Sequence, residues 1–576
     1  MKLFENGTSC WTIVLPEDAP KLARVAAEEI QSVVEAASGV RLPIAAKAMP
    51  PFIKLGDDAP ELSGGPFDED YVIDVAEDRV VISGSGMRGM LYGAYDFLEE
   101  QLGARFFTTD TTYVPRRDSL ALRPGRRYGR PDIAIRRMPF KSAEGMRFGG
   151  RLRFNELSGD PALNDNPEYG RGDYRFAIGH SIPAMVPDVL FIAHPEYFPM
   201  IDGARRHGPH HQRCLTNPAV LELTVEAVRR QLRENPMQRT IAVGQADTYP
   251  GRPNNCTCPA CRAIDEAEGS PMGSLLRFVN AVAERIEPEF PHVMINTLAY
   301  RYTRKPPRLT RPRRNVMIVL CSIECCFSHP LDVGCGADYM EGPAGHVGNE
   351  AFTRDIEGWA AICNHLMIWD YVTNFAHYVA PHPNLSCLGP NVRFFKAHNA
   401  YGVYPEGAHD CRGAELDELK TYMLSRLLWQ CNRDEKVDRD EFLIGKLGVA
   451  AASVMRAIDL MEKHMKDENI HMSTYHTPDE RTFPKELVDE LDALFDRAEI
   501  TASNETAKAY VQRLRMSLRY VKLCLYAPKG ENERRRAAET FLSDMARLGI
   551  DKLMEGGSME KSKGRLYEMM GLSFKV

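Results

Sequence analysis

The chain lacks most of the features that would place a protein of its size in a specialised class. It has no basic excess: 72 Lys and Arg against 79 Asp and Glu leave a formal charge of −7 over 576 residues. That balance offers no electrostatic footprint for nucleic acid. No apolar run approaches the roughly 18 residues of a membrane span, and the longest, Val316 to Cys321, reads as a buried strand. Internal repeats, low-complexity tracts and a Gly-rich dinucleotide fingerprint are missing as well. At the amino end, Glu5 and Gly7 interrupt the apolar run that a secretion signal needs, so the expected location is the cytoplasm. In that setting the 14 cysteines are expected to be reduced, metal-bound or buried.

What is present is alternation. Residues 11–15, 51–56, 71–75 and 79–84 have strand character, and 19–38 and 87–102 carry apolar residues at helical spacing. This predicts a small α/β domain over 1–125, followed by a basic linker over 116–131. From 130 to 435 strand and helix patterns repeat, with strands at 133–136, 175–179, 240–244, 294–300, 316–322, 366–369 and 401–404. Regular alternation over about 300 residues predicts a parallel sheet closed as a (β/α)8 TIM-type barrel. A doubly wound sheet is the competing arrangement. Residues 436–576 read as a helical domain, with helices at 440–464, 485–503, 505–525 and 531–548.

In such a barrel the catalytic groups stand at the C-terminal ends of the strands. Reading those ends yields Asp247, Glu324, Asp370 and Glu406 as candidate carboxyls, with His409 and Asp410 just beyond Glu406. Tyr300, Trp369 and Tyr371 supply aromatic faces suited to sugar C–H surfaces. His180, Arg301 and His329 complete the candidate substrate contacts. Two carboxyls flanking one bond are the equipment of a glycosidase: one protonates the leaving oxygen and one stabilises or attacks the anomeric centre. Individually, each of these carboxyls can equally be an ion-pair partner or a helix cap.

A second constellation is Cys256-Thr257-Cys258-Pro259-Ala260-Cys261, with Cys214 as the nearest candidate for a fourth ligand and His210 and His211 preceding it. Thiolates at this spacing can share a tetrahedral structural zinc. Packing cysteines or a disulfide within the loop are the alternatives. Catalysis itself calls for no cofactor. Cys325-Cys326 reads as small barrel packing.

The run Gly86-Met87-Arg88-Gly89-Met90-Leu91-Tyr92-Gly93, continuing to Leu102-Gly103-Ala104-Arg105-Phe106-Phe107, resembles the domain that precedes α-glucuronidase and β-hexosaminidase barrels. Residues 130–440 resemble the bacterial domain-of-unknown-function family 4838, part of which is classified as glycoside hydrolase family 163. The residues that carry this likeness are His194-Pro195-Glu196-Tyr197-Phe198, Cys214-Leu215-Thr216-Asn217-Pro218, Asp247 with the cysteine motif, Leu298-Ala299-Tyr300 and Trp369-Asp370-Tyr371. The resemblance implies a retaining endo-β-N-acetylglucosaminidase acting on N-glycan-like oligosaccharides, with the substrate's 2-acetamido group as nucleophile. Strand-end logic then points to Glu324 as acid/base and Asp247 as the group polarising the amide, with Asp370 and Glu406 as rivals. Without an export signal, smaller imported oligosaccharides suit the chain better than whole N-glycans. The other readings are an α-glucuronidase-like inverting enzyme and an inactive carbohydrate-binding homologue. The oligomeric state is not legible.

Overall fold

The computed structural model describes residues 2–574 apart from 57–58, 60, 63–66, 145, 156–174, 177, 237, 249–253 and 336–347. Near its amino end a six-stranded sheet runs in the order 125–129, 71–75, 79–84, 52–55, 12–14, 44–45. The hairpin Tyr71–Val75 and Arg79–Gly84 forms as expected. Helices Lys21–Ser38 and Met87–Phe97 pack together against this sheet. The stretch expected as a linker is structured: Ser119–Ala121 pairs with Lys2–Glu5, and Gly125–Gly129 pairs antiparallel with Tyr71–Val75. Its basic side chains mask a strand that pairs on one edge only.

The central sheet is parallel throughout. Its strands are β1 (Ile135–Arg136), β2 (Arg175–Phe176), β3 (Gln238–Ala242), β4 (Met294–Ala299), β5 (Val316–Cys321), β6 (Leu366–Tyr371) and β7 (Ala400–Glu406). The order is β1-β7-β6-β5-β4-β3-β2, so the first and last strands are neighbours and the sheet curls as a TIM-like barrel. Seven strands stand among the described residues where an eight-fold barrel was expected, and the sheet ends on β1 and β2. Residue 177, within the expected strand 175–179, lies outside the described residues. Strand β5 is buried at every position, Val-Met-Ile-Val-Leu-Cys. Such a run marks a strand covered on both faces.

Helix Pro218–Glu234 begins where Asn217 caps it by accepting from the Ala219 amide at 2.9 Å, with proline as its first residue. The carboxyl-terminal helices are Glu435–Leu447, Ala451–Asp467, Lys485–Thr501, Glu505–Leu525, Glu531–Arg547 and Met559–Met569. The expected helix 440–464 is two helices joined by a 3-10 turn at Gly448–Ala450, and 559–569 was not anticipated. Among the contacts that fasten the outer parts to the barrel, two stand out. Arg513 grips Asp417 at 2.8 and 2.9 Å, and Trp429 stacks on Tyr71 with ring centroids 6.0 Å apart. No helix of the described residues is long and apolar enough to cross a membrane.

Candidate active site

A cleft of about 290 Å³ opens at the C-terminal ends of the barrel strands, lined by carboxylates from three directions: Asp247, Glu406 and Glu555. His180, Tyr300, Trp369, Tyr371, His409 and Tyr475 share its walls.

Strand parity explains which side chains arrive there. Successive side chains of a strand point to opposite faces, and Cys321 pairs in register with Trp369, as Tyr371 does with Glu406. Cys321, Ile323, Trp369, Tyr371 and Glu406 therefore face the cleft together. Asp370 has the other parity, and Ser322 and Glu324, in the turn after β5, do not line the cleft either. Ser322 Oγ donates to Asp370 at 2.7 Å, and burial pushes that carboxyl up to about 6. Glu324 is held by Arg304 at 2.8 Å, and Arg304 also binds Asp355 at 2.7 Å. Burial raises the Glu324 carboxyl despite the Arg304 charge. Neither Glu324 nor Asp370 lines the cleft, contrary to the expectation that placed both there.

Glu406 ends β7 and is oriented from two sides. The Trp369 indole N–H donates to it at 2.8 Å, and His409 Nδ1 lies 3.3 Å from its other oxygen. That contact raises the His409 imidazole. The turn after Glu406 depends on glycine: a Cβ on Gly407 would stand 2.4 Å from the Phe140 ring. Glu555 comes from the loop between the last two helices. Its nearest oxygen, one oxygen of Glu406 and one nitrogen of His409 all lie within 4.8 Å of one another. Burial first, and the neighbouring Glu406 charge second, push Glu555 up to about 7.

The loop bearing Glu555 is laced to the barrel. The Glu555 amide donates to Phe375 O at 2.9 Å, and the Tyr378 amide donates to Leu553 O at 2.8 Å. Asp410 accepts from Tyr378 Oη at 2.7 Å, Lys552 Nζ at 2.8 Å and the Gly556 amide at 3.1 Å.

Across the cleft, Tyr300 Oη donates to Asp247 at 3.3 Å, and His180 Nε2 lies 3.5 Å from the same oxygen. His180 Nδ1 is 2.7 Å from Gln245 O, which sets its ring. Arg301 stands behind Tyr300, donating to its hydroxyl at 2.8 Å, and adopts a left-handed φ of 52°. Non-glycine residues hold that conformation only where surrounding contacts enforce it. Arg301 is thus a support for Tyr300 rather than a wall of the cleft. His329, expected as a substrate contact, lies away from the cleft with its Nδ1 3.3 Å from Cys326 Sγ. Glu555 and Tyr475 were missed, because nothing in a helical segment's pattern marks a loop residue that returns to a distant barrel.

Cys214, Cys256, Cys258 and Cys261 are all buried and bring their sulfurs within 4.8 Å of one another. Cys214 and Cys258 are 3.8 Å apart, too far for a disulfide of about 2.05 Å. That spacing is what tetrahedral ligands about 2.3 Å from a shared zinc would show. The Met200 amide donates to Cys256 Sγ at 3.3 Å. Contact with Cys256 drives Cys214 well below the usual thiol range, and Cys214 in turn pushes Cys256 up to about 11. The cluster is therefore a buried four-sulfur site able to hold a structural metal.

The likeness to known structures extends over most of the chain. A family GH115 4-O-methyl-alpha-glucuronidase with specificity for decorated arabinogalactans aligns over 98% of this chain and 78% of its own, at 11% identity and a TM-score of 0.57. A GH138 enzyme targeting pectin rhamnogalacturonan II aligns over 97% and 98%, at 10% identity and a TM-score of 0.50. A mutant Streptomyces plicatus beta-hexosaminidase, in complex with its product GlcNAc, aligns over 78% and 90%, at 13% identity and a TM-score of 0.41. At these identities the likeness is one of fold. No match is found among curated proteins. A family model described as "Domain of unknown function (DUF4838)" matches residues 106–459, well over half of the chain, and the protein belongs to that family.

Proposed function

We propose that the protein is a glycoside hydrolase and that the Glu406–Glu555 pair performs its chemistry. The observation that carries this reading is a pair of carboxyls whose oxygens lie within 4.8 Å, one of them raised to about 7. A carboxyl raised to about 7 beside a second carboxyl supplies a proton donor near neutral pH. Glu555 protonates the leaving oxygen. Glu406, oriented by Trp369 and His409, stabilises the positive charge that develops at the anomeric carbon. Retaining enzymes hold their carboxyls about 5–5.5 Å apart, whereas inverting ones leave roughly 6.5–9.5 Å for a water. The close pair supports retention.

The finer reading is a β-N-acetylglucosaminidase using its substrate's 2-acetamido group. It rests on the family resemblance and on Asp247, which Tyr300 and His180 hold across the cleft in a position to polarise an amide. The cleft lies at the small end of ligand pockets, which span about 300–1,000 Å³, and this favours a short saccharide over a whole N-glycan. Zinc is the metal proposed for the four cysteines.

A panel of aryl glycosides and oligosaccharides, read by mass spectrometry with product stereochemistry by NMR, tests the proposal. Release of an N-acetylhexosamine with retained configuration, blocked by a thiazoline analogue, is the expected result. Release of a uronic acid with inversion would transfer the protein to the α-glucuronidase reading. Saccharide binding without any hydrolysis would make it an inactive homologue.

A further inference from the structure

We propose that Cys326, His329, Cys335 and His471 form a second zinc site, which staples the loop after β5 to the segment carrying Tyr475. This site shares no residue with the four-cysteine cluster and does not depend on the glycosidase reading. One donor atom from each of the four side chains lies within 4.8 Å of the others. Cys326 and Cys335 are buried at 1% and 6% exposure, and both histidines are half-buried. Cys326 Sγ stands 3.3 Å from His329 Nδ1, and the His329 and His471 rings are 4.6 Å apart between centroids. Tetrahedral zinc with sulfur at about 2.3 Å and nitrogen at about 2.0–2.1 Å calls for similar ligand separations, and two cysteines with two histidines are an ordinary structural donor set.

The surroundings already have the rigidity that a structural metal requires. Asn349 accepts from the Cys326 amide at 2.9 Å and donates to the carbonyls of Cys326 and His329 at 3.2 Å each. Three ligands follow one another over ten residues beyond β5, while His471 comes from the loop between helices Ala451–Asp467 and Lys485–Thr501. The two loops are joined by Phe327 N to Met472 O at 2.8 Å and by Ser328 Oγ to Ile470 O at 2.6 Å. Thr474 Oγ1 then donates to Thr373 O at 2.8 Å, and the next residue, Tyr475, lines the cleft. A metal on His471 thereby fixes the height at which Tyr475 meets a substrate.

The experiment is elemental analysis of the full-length protein, purified without chelator from zinc-supplemented cells. The expected content is two zinc ions per chain. His471→Ala and Cys335→Ser should each reduce it to one, and Cys258→Ser should also reduce it to one by emptying the other cluster. Cobalt(II) loaded into Cys258→Ser should still show tetrahedral visible absorption, and His471→Ala on that background should abolish it. A single zinc, lost with Cys258→Ser and untouched by His471→Ala, would overturn the proposal. So would a Cys326–Cys335 disulfide found by non-reducing peptide mapping. Should Cys335→Ser fail to fold, His471→Ala carries the test, since His471 sits in a loop with one half-buried ring.

Discussion

Glu406 and Glu555 present oxygens within 4.8 Å of each other, although one ends a barrel strand and the other lies between the last two helices. A carboxyl raised to about 7 is protonated below that pH and loses its proton above it. An acid that must donate in the transition state therefore fails as pH rises. The expected kcat/KM profile falls about tenfold per unit above roughly pH 7. In Glu406→Gln, removal of the neighbouring negative charge should lower the pKa of Glu555, which carbon-13 NMR of the labelled carboxyl can follow directly.

Asp410 is a positioning residue. It collects Tyr378, Lys552 and the Gly556 amide around the loop bearing Glu555. Asp410→Asn removes the charge that holds Lys552, at a stability cost of about 1–3 kcal/mol. The expected loss is about tenfold in kcat, with a shifted alkaline limb and a smaller change in KM. An unaltered pH profile would mean that Asp410 stabilises the fold and nothing more.

Trp369 contributes both an aromatic wall and an indole N–H, and Trp369→Phe separates them. The ring face survives while the 2.8 Å hydrogen bond to Glu406 is lost. A hydrogen bond to a charged group is worth about 1.5–3 kcal/mol. Steady-state kinetics should show a fall of roughly tenfold to a hundredfold in kcat/KM with binding of a sugar product retained.

The four-cysteine cluster should act on stability rather than on rate. Zinc in such a site is part of the folding free energy. Cys258→Ser is expected to lower the Tm by several degrees in calorimetry, while kcat at a temperature below the transition stays within a few-fold of wild type.

The order of elements was legible because apolar periodicity is local. The helix 505–525 and the hairpin 71–84 come out with their boundaries unchanged. Seven of the anticipated residues do line the cleft, namely Asp247, Glu406, His180, Tyr300, Trp369, Tyr371 and His409. Glu324 and Asp370 were drawn in by proximity to strand ends, yet parity alone would have excluded Asp370. Residues 369 and 371 share one face, and 370 cannot join them. Glu555 was beyond reach for a different reason: its arrival depends on how the helical domain docks, which no local pattern encodes. His329 was expected to contact substrate and does not line the cleft; that His471 stands beside it becomes visible only when two loops meet.

On the proposed function, the most direct measurement compares Glu555→Gln with Glu324→Gln on a saccharide that the substrate panel finds to be cleaved. Glu555 lines the cleft, and Glu324 is tied to Arg304 behind the strand. The prediction is a loss of roughly 10²–10⁴ in kcat for Glu555→Gln, while Glu324→Gln keeps kcat within a few-fold and loses stability instead. Full activity in Glu555→Gln, or its abolition in a folded Glu324→Gln, would contradict the assignment.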